Sequence, residues 1–277
     1  MGEFPLDREA AGAVVSDAMM VRGVSALGVR VLLALEAAGE FGRLAARTGR
    51  VLFRPRLPLR EILRQFESIA VRSIPIVAVT AIFTGMVLAL QTAYALTRFG
   101  AKPYVGSIVG LAIVRELGPV LAALMVGGRV GAGITAEIGS MRVTEQIDAI
   151  RAMGADPVQK LVLPRVVAAS LALPLLTVIA NVVGVFGGML IADVQYGISP
   201  HFYLQTVLQA VNVNDFLSGV SKTFVFGWLI AMVGCHAGLR TEGGTAGVGQ
   251  ATTRAVVAAS ICVLVADFFL TKLLMIL

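Results

Sequence analysis

The chain has 277 residues, 57% of them hydrophobic and only 14% charged, whereas a soluble domain is nearer a quarter charged and under half apolar. A water-soluble globular protein is therefore excluded, and continuous rather than alternating apolar segments argue against a β-barrel. The net charge of +6 is no nucleic-acid footprint, because eleven of the 23 basic residues precede position 73, all of them Arg spread among apolar residues, as in a cytoplasmic segment that hugs a membrane.

Residues 1–20 contain Glu3, Asp7, Glu9 and Asp17 and no continuous apolar core, so they read as a poorly ordered extension rather than a signal peptide. Residues 21–72 mix apolar residues with charges such as Arg22, Arg30, Glu36 and Arg43. That is too polar to span, and predicts interfacial amphipathic helices, one ending near Arg54–Pro55 and a second over Leu59 to Val71. Residues 73–277 then form an all-α membrane domain with five predicted spans, at about 73–96, 105–128, 166–192, 216–239 and 255–277, since about 20 apolar residues cross a bilayer. The connection 129–165 carries Arg129, Arg142, Arg151, Lys160 and Arg165, and 240–254 carries Arg240 and Arg254, while 193–215 has neither Lys nor Arg. The positive-inside rule puts the N-terminus and the two basic connections in the cytoplasm, and the C-terminus on the other side.

The second span is unusual: Arg115 and Glu116 sit near its middle, and each charge at a helix centre costs about 2.5–3.5 kcal/mol on insertion scales. Pro119 cannot donate to the carbonyl four residues back, so the Arg115 carbonyl is expected to be freed beside the charges. Pro75 and Pro174 do the same in the first and third spans, where a simple packing kink is an equal reading. Lys222 in the fourth span and Asp267 in the fifth bring the count to two positive and two negative intramembrane charges. Two readings stay open: ion pairs that only fix helix register, or a polar-lined cavity that holds or gates a charged head group. Adjacent positions point about 100° apart on a helix, so Arg115 and Glu116 need different partners.

His201, His236, Cys235 and Cys262 lie outside this set and show no metal or disulfide spacing. The Gly131–Ala136 stretch lacks a surrounding βαβ unit. Gly244–Gly249 has the glycine spacing of a P-loop but is followed by Gln250–Ala251 instead of Lys and a hydroxyl residue, so no nucleotide site is expected within the chain. Pairs such as Gly106/Gly110, Gly127/Gly131 and Gly184/Gly188 suit close helix packing. Thr144 is read as an N-cap, Glu145 suits the positive helix end, and Gly154 and Pro157 end a short amphipathic helix over 144–154. Its apolar ridge of Ile147, Ile150 and Met153, flanked by Asp148 and Arg151, is either a surface-lying helix or one that docks in a groove of a separate soluble subunit.

The run RELGPVLAALMVGGRVGAGITAEIGSMRVTEQIDAIRAMGADP, with IFTGMVLALQ, PRVVAASLALPLLTVIANVVGVFGG, SKTFVFGW and GVGQATTRAVVAASICVLVADFFLT, resembles the MlaE/YrbE permeases, membrane subunits of MCE-type ABC lipid transporters. The similarity covers about residues 40–277. The resemblance implies a non-catalytic homodimeric permease in the bacterial inner membrane with no cofactor of its own, ATP being bound by cytoplasmic ATPase partners. It also implies a periplasmic ring of MCE-domain proteins, in some systems a STAS-domain subunit, and a phospholipid substrate moved between inner and outer membranes to maintain outer-membrane lipid asymmetry. Within it, Arg115, Glu116, Lys222 and Asp267 match the pocket charges, and Thr144 to Gly154 matches the coupling helix, with Thr144, Glu145, Ile147, Asp148, Ile150 and Arg151 as its contact residues. Sterol or fatty-acid import within the same family, an ion-coupled secondary transporter and a lipid-modifying enzyme are the rival readings.

Overall fold

The computed structural model describes residues 32, 35–53 and 58–276; the readings for the first 31 residues, including the 1–20 extension, lie outside them. Residues 35–52 form helix α1, and residues 48–277 form one compact unit by their internal contacts. Within that unit the described elements are α2 (Leu59–Thr97), α3 (Lys102–Val143), the short α4 (Gln146–Ala152), α5 (Val158–Tyr196), α6 (Pro200–Ala210), α7 (Val213–Leu239) and α8 (Gly244–Ile276). Five of these, α2, α3, α5, α7 and α8, are long and apolar enough to cross a membrane, so the chain is a multi-pass, all-helical membrane protein.

Several helices outrun the bilayer. With 39 residues in α2 and 42 in α3, a rise of 1.5 Å per residue gives about 60 Å each, twice the hydrocarbon thickness of about 30 Å. The second amphipathic piece and the first span are thus one helix, α2, started by Pro58 and bearing Glu61 in its first turn. Span two likewise continues to Val143, and α5 starts at Val158, eight residues before the predicted start at 166. The basic 129–165 connection is therefore mostly helical rather than loop. The connection 240–254 shrinks to four residues because α8 begins at Gly244, and residues 200–210 of the connection without Lys or Arg form α6, capped by the Ser199 hydroxyl accepting from the Phe202 amide. Local pairing of backbone groups near a membrane favours helix over open loop wherever the side chains permit it.

α5 is the spine, flanked by α2 along most of its length and by α7. Gly85 of α2 meets the Gly184 carbonyl of α5 so closely that a Cβ has no room, the small-residue contact that drives helix association where lipid supplies no hydrophobic force. The other glycine pairs also pack within the chain: Gly106 and Gly110 seat α6 through Thr206 and Val207, and Gly127 and Gly131 face Ile230 of α7. Ala89, Ala93, Val105, Val109, Ile113, Ala192, Tyr203 and Val207 close a shared core under α6. α8 is the most peripheral, burying only Ala255, Ala259 and Val263 at four-residue spacing. Its other faces present large apolar side chains, among them Ile261, Phe269 and Leu273.

Candidate functional site

Helix α3 departs from α geometry at the charged pair: residues Ile113–Leu117 form a π turn, a feature that concentrates at functional sites. In the π register the Gly118 amide donates to the Ile113 carbonyl, and the donor due to the Val114 carbonyl is the missing N–H of Pro119. The Val114 carbonyl, next to the charged pair, thus loses its helical donor. Gly219 of α7 fills the gap, its Cα lying against the Val114 carbonyl where a side chain would collide. Both helices need this approach to bring their charges together.

The charges then meet across three helices. The buried Lys222 ammonium, with a side chain 1% exposed, donates to Glu116 Oε2 at 2.7 Å, to Asp267 Oδ1 at 2.9 Å and to Thr271 Oγ1 at 2.9 Å. Thr271 Oγ1 also lies 3.2 Å from Glu116 Oε1. All three donor hydrogens of the ammonium are therefore used, which a buried charge requires. Arg115 points elsewhere, as the 100° offset demands, and its Nε lies 3.5 Å from Asp215 Oδ1. Asp215 also closes a capping box with Asn212 at the start of α7.

The two carboxylates remain partly open, Glu116 at 39% and Asp267 at 19% side-chain exposure. They look into a cleft of about 510 Å³ whose floor is apolar, with Leu264, Phe268, Met275 and Ile276. A charged patch backed by a buried counter-ion, above an apolar trough, can hold an amphiphile by its polar end.

Of the predicted site residues, Glu116, Lys222 and Asp267 come together, Arg115 stands one helical face away, and Pro119 is the second residue of the α-helical stretch that follows the π turn. Sequence reasoning missed Asp215, Thr271 and Lys272. Asp215 was legible as the fourth residue of an Asn-x-x-Asp capping box, and Thr271 as the residue one turn after Asp267.

The end of the bundle where α3 leads into α5 has its own buried charge. Arg165, 4% exposed, bonds the Leu161 carbonyl at 2.6 Å and Glu137 Oε1 at 2.9 Å, tying the start of α5 to the extension of α3. Between them hangs α4, shorter than the predicted 144–154 helix. Thr144 is not its N-cap: it ends α3, donating its hydroxyl to the Ser140 carbonyl, and Glu145 takes the N-cap place in the left-handed region, φ 59°. The tight reversal from α3 into α4 imposes that conformation. Ile147 is fully buried and Ile150 partly so, leaving Met153 (72% exposed) as the outward apolar residue. The ridge turns inward because α4 packs back on α3. Asp148 bonds Arg142 at 2.8 Å and Arg151 at 3.0 Å on the outer face.

Five apolar spans, three of which share a buried ion-pair cluster beside an open cleft on α8, define a multi-pass membrane protein. A family model described as Permease MlaE matches residues 62–273. A probable ABC transporter permease protein of Rickettsia felis is 40% identical over 255 residues, covering 92% of this chain and 98% of the relative. A probable ABC transporter permease protein of Synechocystis is 40% identical over 230 residues, 82% and 88% of the two chains. The intermembrane phospholipid transport system permease protein MlaE of Haemophilus influenzae is 34% identical over 259 residues, 92% and 98% of the two. The chain belongs to the MlaE permease family.

Proposed function

We propose that this permease is the non-catalytic membrane subunit of an ATP-driven transporter that moves phospholipids between the bacterial inner and outer membranes, and thereby maintains outer-membrane lipid asymmetry. The observation that carries this reading is the cleft: ion-paired carboxylates at the rim of an apolar trough suit a polar head with acyl tails. The name of the Haemophilus influenzae relative, an intermembrane phospholipid transport permease, supports the same cargo. The chain sits in the inner membrane as a homodimer, N-terminus cytoplasmic and C-terminus periplasmic. ATPase subunits dock around α4, a STAS-domain subunit joins them in some systems, and MCE-domain proteins collect the lipid on the periplasmic side.

In this mechanism ATP binding in the partner pushes α4. The Glu137–Arg165 bond makes the cytoplasmic parts of α3 and α5 move as one body, and α3 is a continuous helix from there to Glu116. Displacement at α4 thus reaches the Glu116–Lys222–Asp267 cluster and narrows the cleft. Reconstitution into liposomes with and without the ATPase tests the reading. ATP-dependent lipid transfer that needs both chains is expected. Gradient-driven transport by this chain alone would replace it with an ion-coupled transporter, and chemically altered lipid would replace it with an enzyme.

A further inference from the structure

Lys272 also lines the cleft, and no carboxylate is bonded to it among the described residues. It follows Asp267 by five positions on α8, about 7–8 Å along the axis. Its side chain is exposed and shares the cleft lining with Glu116 and Asp267. Lys222 is buried behind Glu116 and Asp267 and fully engaged by them, so it presents no donor to the cleft. The cleft surface therefore carries partly exposed carboxylates at one end and a single unbonded cation at the other. Counting Glu116 and Asp267 against Lys222 and Lys272, the four charges sum to zero.

Resting on the lipid-permease reading above, we propose that Lys272 binds the phosphate of a zwitterionic phospholipid head group while Glu116 and Asp267 face its ammonium, making the cleft selective for zwitterionic over anionic lipids. An anionic head group offers its phosphate to Lys272 but brings no cation to the carboxylates, and its charge is repelled by them. A diacylglycerol, with no phosphate, engages only the apolar floor. A lysine that merely reached for water at the helix end would give no such discrimination.

The test uses the purified full-length chain incubated with equimolar phosphatidylethanolamine, phosphatidylglycerol and diacylglycerol, with retained lipid read by native mass spectrometry. Wild type should retain phosphatidylethanolamine over phosphatidylglycerol. Lys272→Met should cut phosphatidylethanolamine retention roughly tenfold, the loss of one charge-assisted hydrogen bond, and leave diacylglycerol unchanged, while Lys272→Arg restores it. Circular dichroism matching wild type establishes that the variants are folded. Equal retention of phosphatidylethanolamine by Lys272→Met and wild type overturns the assignment, as does a wild type that holds phosphatidylglycerol equally well. A wild type that retains none of the three lipids overturns the permease reading itself.

Discussion

Gly219 of α7 lies directly against the Val114 carbonyl of α3, an acceptor whose π-register donor would be the missing N–H of Pro119. A methyl group at position 219 has no room. Gly219→Ala should therefore force α7 away from α3 and cost about 1–3 kcal/mol, the usual penalty for overpacking. A lower melting temperature in detergent, with Ser221→Ala at an exposed position of the same helix nearly unaffected, is the expected result.

Lys222 neutralises two carboxylates at once, so removing it leaves both uncompensated. Lys222→Met should destabilise the fold by about 3–5 kcal/mol, the range for breaking a buried ion pair from one side. Adding Glu116→Gln and Asp267→Asn should recover most of that loss. Lipid transfer is expected to stay impaired in the recovered triple variant. Full transfer by it would reduce the cluster to a device for helix register.

The Glu137–Arg165 bond separates rigidity from folding. Glu137 is 57% exposed, so Glu137→Gln, which keeps a hydrogen-bond acceptor, should cost under about 1 kcal/mol. Arg165 is buried, and Arg165→Met strands the packing around it for about 1.5–3 kcal/mol. If the bond joins α3 and α5 into one lever, Glu137→Gln should leave ATPase binding intact and lower lipid transferred per ATP hydrolysed. Unchanged stoichiometry would remove the bond from the mechanism.

Glu145 occupies a left-handed conformation that costs a non-glycine residue about 1 kcal/mol or more. Glu145→Gly should thus stabilise the isolated permease by several tenths of a kcal/mol while deleting a side chain aimed at the proposed partner. The Asp148 bonds are solvent-exposed and worth at most about 1 kcal/mol. Glu145→Lys combined with Asp148→Lys should accordingly leave membrane insertion and thermal stability nearly unchanged while abolishing copurification of the ATPase. Normal copurification would remove α4 from the interface.

How much was legible in the sequence differs by feature. The five apolar segments and the intramembrane charges stand out because a bilayer penalises each polar group individually, and that penalty acts position by position along the chain. Helix ends were less visible: the charged flanks of α3 and α5 look like a connection by charge, and that of α2 like a separate amphipathic helix, yet a charged residue is a good helix former once outside the hydrocarbon. Thr144 misled for a related reason. A hydroxyl before an acidic residue suits an N-cap, but it equally serves to end α3 by bonding the Ser140 carbonyl, and only the path of the chain chooses between the two.

By itself, the sequence determined that the protein is a five-span helical membrane protein, because hydropathy and helical period are local properties that lipid converts directly into spans. It also determined which ionisable residues are forced into the membrane. Only the tertiary structure decided how those residues are used. Glu116, Lys222 and Asp267 lie on three different helices, Arg115 turns to Asp215, and Arg165 reaches Glu137. Pairing across helices depends on rotation and axial register, which here are set by the π turn and by glycines such as Gly219 and Gly184 that let backbones touch. Those settings arise from packing between segments far apart in the chain, and no local pattern encodes them.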